Sequence, residues 1–140
     1  MSVRAVLLPL FALIVLTFIL LFRMGLARVA AVRSGEARVW DTALGQPNWP
    51  EKPTQFANSY ANQFQIPLLY FILVALALPL RKTDLLFVIL SWLFVALRYA
   101  HAYIHITTNH VPRRFGVFVA GVVVLMVMWA LFAANVLLGL

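Results

Sequence analysis

Residues 85–105 read LLFVILSWLFVALRYAHAYIH, and how far this segment continues as helix decides the architecture. From Leu85 to Leu97 it carries no charge; Arg98, Tyr99, His101, Tyr103 and His105 then follow. A helix rising about 1.5 Å per residue needs about 20 residues to cross a hydrocarbon core of about 30 Å. The apolar part alone is too short, so the segment spans a bilayer only if the polar residues are counted in it. Read that way it is the third of four spans, at about 5–23, 60–80, 84–106 and 113–138. The expected fold is all-α, an integral membrane four-helix bundle forming a single domain over residues 1–140.

The flanking segments support this reading. Ala5 to Phe22 and Phe115 to Leu140 are uncharged throughout, and Phe64 to Leu80 is interrupted only by Gln65, Pro67 and Pro79. Prolines are tolerated in membrane helices where neighbours satisfy the freed carbonyls. The first apolar run is longer than a signal-peptide core and lacks a clean small-residue cleavage site, so it is expected to be retained. The chain is 64% hydrophobic and 11% charged, against about 25% charged in soluble domains. There is no cysteine, which removes disulfides, thiolate metal sites and a cysteine nucleophile together.

A net charge of +7 would suggest nucleic acid in a soluble protein. Here the basic residues flank the spans, so membrane lipids rather than nucleic acid are the expected partners. One membrane face collects Arg4, Arg81 and Lys82, and the other Arg23, Arg28, Arg33, Arg38, Lys52, Arg113 and Arg114. The positive-inside rule puts the second face, with the 1–2 and 3–4 loops, in the cytoplasm and both termini outside. The long 1–2 connection begins with residues that extend the first helix beyond the membrane. Gly45, Pro47, Pro50 and Pro53 are expected to exclude regular helix from its remainder up to about Ser59. Trp40 and Trp49 are expected at the headgroups. In the short 2–3 turn Thr83 or Asp84 caps the next helix, and Pro112 suits the first turn of the fourth.

The chemistry-bearing residues fall at the end assigned to the cytoplasm. Asn58, Asn62 and Gln65 are spaced i, i+4, i+7, and Arg98, His101 and His105 i, i+3, i+7, so each set forms one stripe of a helix. Arg113 and Arg114 open the fourth helix at the same level. Polar groups in lipid cost several kcal/mol unless satisfied, so the stripes face protein or a wet cavity. Two readings stand: a polar seam that joins helices, or a binding site in which an anion supplies the counter-charge Arg98 lacks. Snorkelling of Arg98 to the headgroups is the simpler account of that residue. His101 and His105, with His110 nearby, also suggest a metal. Sites of that kind recruit carboxylate or thiolate partners, and the spans contain none, so no metal is expected. The same lack argues against an ion-coupled transporter.

The segments Asn62-Gln63-Phe64-Gln65-Ile66-Pro67 with Leu68-Leu69-Tyr70-Phe71, and Arg98-Tyr99-Ala100-His101 with His105, Asn109, Pro112 and Arg114-Phe115, resemble the MAPEG family, membrane-associated proteins in eicosanoid and glutathione metabolism. The resemblance covers about the last 85 residues and is strongest to the small bacterial branch, which implies an inner membrane. It implies a homotrimer with glutathione as co-substrate, bound between subunits near the cytoplasmic face. It further implies transfer of glutathione to a lipophilic electrophile, or reduction of a hydroperoxide. Arg114 then matches the arginine that stabilises the thiolate, and Arg98, His101, His105, Asn62 and Gln65 match pocket positions. Arg113, with Arg114, Arg98 and Arg38, becomes a candidate partner of the tripeptide's carboxylates. The sequence departs from the family at Gln65, where many members carry glutamate, at Asn58, where the mammalian enzymes carry arginine, and at Phe115 and Phe118, where a serine and a tyrosine occur. The departures keep a non-catalytic scaffold, accessory subunit or lipid-binding member in view as the alternative.

Overall fold

A computed structural model describes all 140 residues and contains five α-helices and no strand. They are α1 (Val3–Arg33), α2 (Glu51–Asn62), α3 (Ile66–Ala77), α4 (Leu85–Ile106) and α5 (Val111–Leu137), with a single 3-10 turn at Val39–Thr42. Four stretches are long and apolar enough to cross a membrane, because α2 and α3 run on as one span, Glu51–Ala77.

Each boundary has a local cause. The Asp84 carboxylate accepts from the Phe87 N–H at 2.8 Å and starts α4, so Asp84 rather than Thr83 is the cap. His110 Nδ1 accepts from the Arg113 N–H at 3.3 Å and starts α5. Asn109, at φ 50°, ends α4 in the left-handed region that asparagine tolerates, and its N–H bonds back to Ile104 O at 2.7 Å. Between α2 and α3 the backbone tightens instead of stopping. The N–H groups of Gln63, Phe64 and Gln65 bond three residues back, at 3.0–3.3 Å, to Tyr60, Ala61 and Asn62. Pro67 explains this, since it has no N–H for the Gln63 carbonyl and its ring would crowd that oxygen in a regular helix.

One expectation needs correcting. Regular helix resumes at Glu51, not near Ser59, because Pro53 sits in the first turn of α2, where no intrahelical partner awaits its missing N–H. At the other end of the connection, α1 runs on past Arg23 to Arg33, as its composition implied.

The core lies on the inner faces of all the spans and includes Leu13, Leu20, Tyr70, Leu73, Phe94 and Met128. The Tyr70 and Phe94 rings lie 5.1 Å apart, joining α3 to α4. Gly121 faces α4, where an added Cβ would meet Leu97 and Phe94 at 3.9 Å, so the small residue serves packing within the subunit. Gly116 faces open space. Two side-chain bonds cross between helices within the apolar zone: Tyr99 Oη donates to Ala12 O at 2.6 Å, and Trp129 Nε1 to Leu69 O at 3.2 Å. Leu8, Phe11, Val15 and Phe18 recur along the outer face of α1 and are exposed, as a surface solvated by lipid requires. Arg4, Arg81 and Lys82 mark one end of the bundle and the other seven flanking cations the opposite, Arg-rich end.

Candidate functional site

Near the Arg-rich end, α2, α4 and the start of α5 bring together most of the residues singled out by sequence. Arg98 is 2% exposed, and its Nη2 donates to the Asn62 side-chain oxygen at 2.5 Å. Asn62 Nδ2 in turn donates to Gln65 Oε1 at 2.8 Å. The bonds make a directed chain, Arg98 to Asn62 to Gln65, in which both functional atoms of Asn62 are used and the Gln65 amide nitrogen is left facing outward. Arg98 therefore does not snorkel; a neighbouring helix holds it inside the protein.

His101 and His105 are buried one turn apart on α4, their rings edge to face with centroids 5.5 Å apart. His101 also packs on Phe118 of α5 at 5.9 Å. The guanidiniums of Arg98 and Arg114 both lie within electrostatic reach of the two imidazoles. Arg114 is half-buried, and its Nη1 donates to the Asn109 side-chain oxygen at 2.6 Å. Arg113 is exposed at the helix start, and Phe115 is exposed beside it. His110 caps α5 through Nδ1.

The stripe expected on α2 is only partly correct. Asn58 and Gln65 are exposed, and the buried polar face is Gln55, Ser59 and Gln63 instead, spaced i, i+4, i+8. Gln55 Nε2 donates to Thr107 O at 3.4 Å, and Gln63 Nε2 to Ser59 O at 3.3 Å. The opposing oxygens Gln55 Oε1, Ser59 Oγ and Gln63 Oε1 have no protein partner, nor do Arg98 Nε or the Nδ1 atoms of His101 and His105. Unpaired buried polar atoms cost about 1–3 kcal/mol each, so these are the positions in the seam where a further hydrogen-bond partner would stabilise most. The sequence signal for Gln55 and Ser59 is their i, i+4, i+8 spacing with Gln63, masked by the helix-breaking character of Pro53.

Chemically the site offers two guanidiniums, two imidazoles and several amides, with no carboxylate among the residues named. Such a set binds and stabilises an anion. Arg98, His101 and His105 are buried, while Arg114 is half-buried and Arg113 exposed, so the cluster reaches the surface on its α5 side.

Comparison with known proteins follows the same line. No curated protein and no solved structure gives a significant match, whereas a family model does so over residues 6–134, almost the whole chain. The chain belongs to the MAPEG family.

Proposed function

We propose that this protein is a glutathione-dependent transferase or peroxidase acting on lipophilic electrophiles or hydroperoxides. The observation that carries the reading is that the charges of Arg98 and Arg114 both reach the His101–His105 pair, with no carboxylate among these residues. A free thiol has a pKa of about 8.5, and a neighbouring guanidinium favours its ionised form. Arg114 is the group for that role, at the helix start beside the exposed surface. Arg98, His101, His105, Asn62 and Gln65 form the inner wall, and Arg113 is placed to meet a carboxylate. A lipophilic substrate reaches this flank from the bilayer, and the charged tripeptide from the aqueous side, the cytoplasm of a bacterial inner membrane in this reading. The reading includes a homotrimer, in which a neighbouring copy covers part of the apolar surface that the single chain leaves exposed.

Calorimetry on the detergent-purified protein tests this. Saturable glutathione binding at millimolar concentration, lost in Arg114→Ala and Arg98→Ala, is the expected result. Turnover of a panel of electrophiles and lipid hydroperoxides that is unchanged by Arg114→Ala would remove the thiolate role from that residue.

A second reading has its own observation. Gln65 stands where many members carry glutamate, and its oxygen is committed to Asn62, so it offers an amide donor instead of a carboxylate for an ammonium group. That favours a non-catalytic member, a scaffold or a lipid-presenting subunit, in which no heat is released with glutathione and a lipid copurifies.

A further inference from the structure

Away from the site just described, the Arg-rich end carries a second basic feature. On the extension of α1, Arg28, Val29, Val32 and Arg33 occupy one face, being spaced i, i+1, i+4, i+5. The connection folds back over that face, bringing Val39 and Trp49 against it, and these six residues line an open-sided cavity of about 310 Å³. The Arg28 guanidinium stacks on the Trp49 indole at 5.1 Å, and its Nε is buried with no protein partner. The cavity is therefore floored by valines and an indole and edged by two guanidiniums.

We infer that this cavity is a binding site for the headgroup of an anionic phospholipid. Three features of the molecule point there. The end of the bundle that holds the cavity carries seven basic side chains against three acidic ones, Glu36, Asp41 and Glu51, so it is electropositive and attracts an anionic partner. Arg28 lies five residues beyond Arg23, about 7.5 Å along the helix axis, which is the depth of the headgroup layer outside the hydrocarbon. The walls are mixed, with valine and indole surfaces suited to the glycerol and upper acyl carbons and guanidiniums to the phosphate. Basic pockets between membrane helices recognise acidic headgroups in this way, and tryptophan favours the same layer. The Arg28–Trp49 stack fixes one guanidinium edge in advance, so a phosphate meets an ordered donor rather than a mobile side chain. The site is separate from Arg98 and Arg114, and the inference does not depend on glutathione chemistry.

The test uses Trp49 as its own reporter. The full chain carrying Trp40→Phe, Trp92→Phe and Trp129→Phe is placed in phosphatidylcholine nanodiscs, with increasing fractions of phosphatidylglycerol brominated near the top of its acyl chains. Quenching of Trp49 is expected to saturate at a low fraction of the brominated acidic lipid and to exceed that by brominated phosphatidylcholine at least threefold. Arg33→Ala, which leaves the Arg28–Trp49 stack in place, is expected to shift saturation to a several-fold higher fraction, and Arg28→Ala to abolish the preference. Equal quenching by the two lipids overturns the proposal. So does recovery of fluorescence on adding inorganic phosphate or glutathione, which would make the cavity a site for a soluble anion.

Discussion

Asn109 holds Arg114 from the opposite side of a helix break: its left-handed backbone ends α4, and its side-chain oxygen, 2.6 Å from Arg114 Nη1, orients the second guanidinium of α5. One residue thus sets both the turn and the aim of the proposed thiolate-stabilising group. The two roles separate by substitution. Asn109→Gly keeps the positive φ and loses only the side chain, so thermal unfolding should stay close to wild type while glutathione affinity measured by calorimetry drops several-fold. Asn109→Val forces a branched side chain into the left-handed region and should cost about 1–2 kcal/mol of stability as well.

The Arg98–Asn62 pair joins α4 to α2, and its two members should not behave independently. Asn62→Ala leaves a buried guanidinium without its partner, a loss of about 1–3 kcal/mol. Adding Arg98→Leu removes the charge that was stranded, so the double variant should be less destabilised than the summed single variants. A double-mutant cycle in chemical unfolding measures this, and a coupling below about 0.5 kcal/mol would contradict the bond.

Local pattern accounts for much of this architecture. Four spans follow from four apolar runs, and the grouping of Arg98, His101 and His105 follows from their spacing on one helix. What the sequence hides is governed by neighbours rather than by local pattern. Pro53 reads as a helix breaker, but its place in the first turn of α2 makes it harmless, and with that the phase of the polar stripe moves from Asn58 to Gln55 and Ser59. Arg98 reads equally well as a snorkelling or a buried cation, and only the partner on α2 decides. The Arg28–Trp49 stack joins residues 21 apart across an irregular connection that no periodicity describes.

Gly121 marks where α5 comes close to α4. A methyl there would make ordinary contact at 3.9 Å, so Gly121→Ala should stabilise the helix by about 0.5–1 kcal/mol without displacing α4. Gly121→Leu exceeds the space and should cost about 1–3 kcal/mol. Thermal unfolding of the two variants in the same nanodisc is the comparison to make, and an equal effect of both would contradict the packing described.

Tyr99→Phe removes the hydroxyl that donates to Ala12 O across α1 and α4. Interhelical hydrogen bonds in membrane proteins average about 0.6 kcal/mol, so a small drop in unfolding midpoint is expected, with glutathione affinity unchanged. A large loss of affinity would mean that the α1–α4 contact shapes the site directly.

The tightened link at Gln63–Gln65 divides one membrane crossing into two parts with different obligations. Ile66–Ala77 is committed to the apolar interior through Tyr70, Leu73 and Val74, and tolerates little change. Glu51–Asn62 carries the polar seam and is tied to its neighbours through Phe56 in the core, Gln55 on Thr107 O and Asn62 on Arg98. Substitutions at the polar positions of the upper half therefore bear on the candidate site while the lower half goes on holding the chain in the bilayer. A single proline placed four residues after Gln63 separates the two.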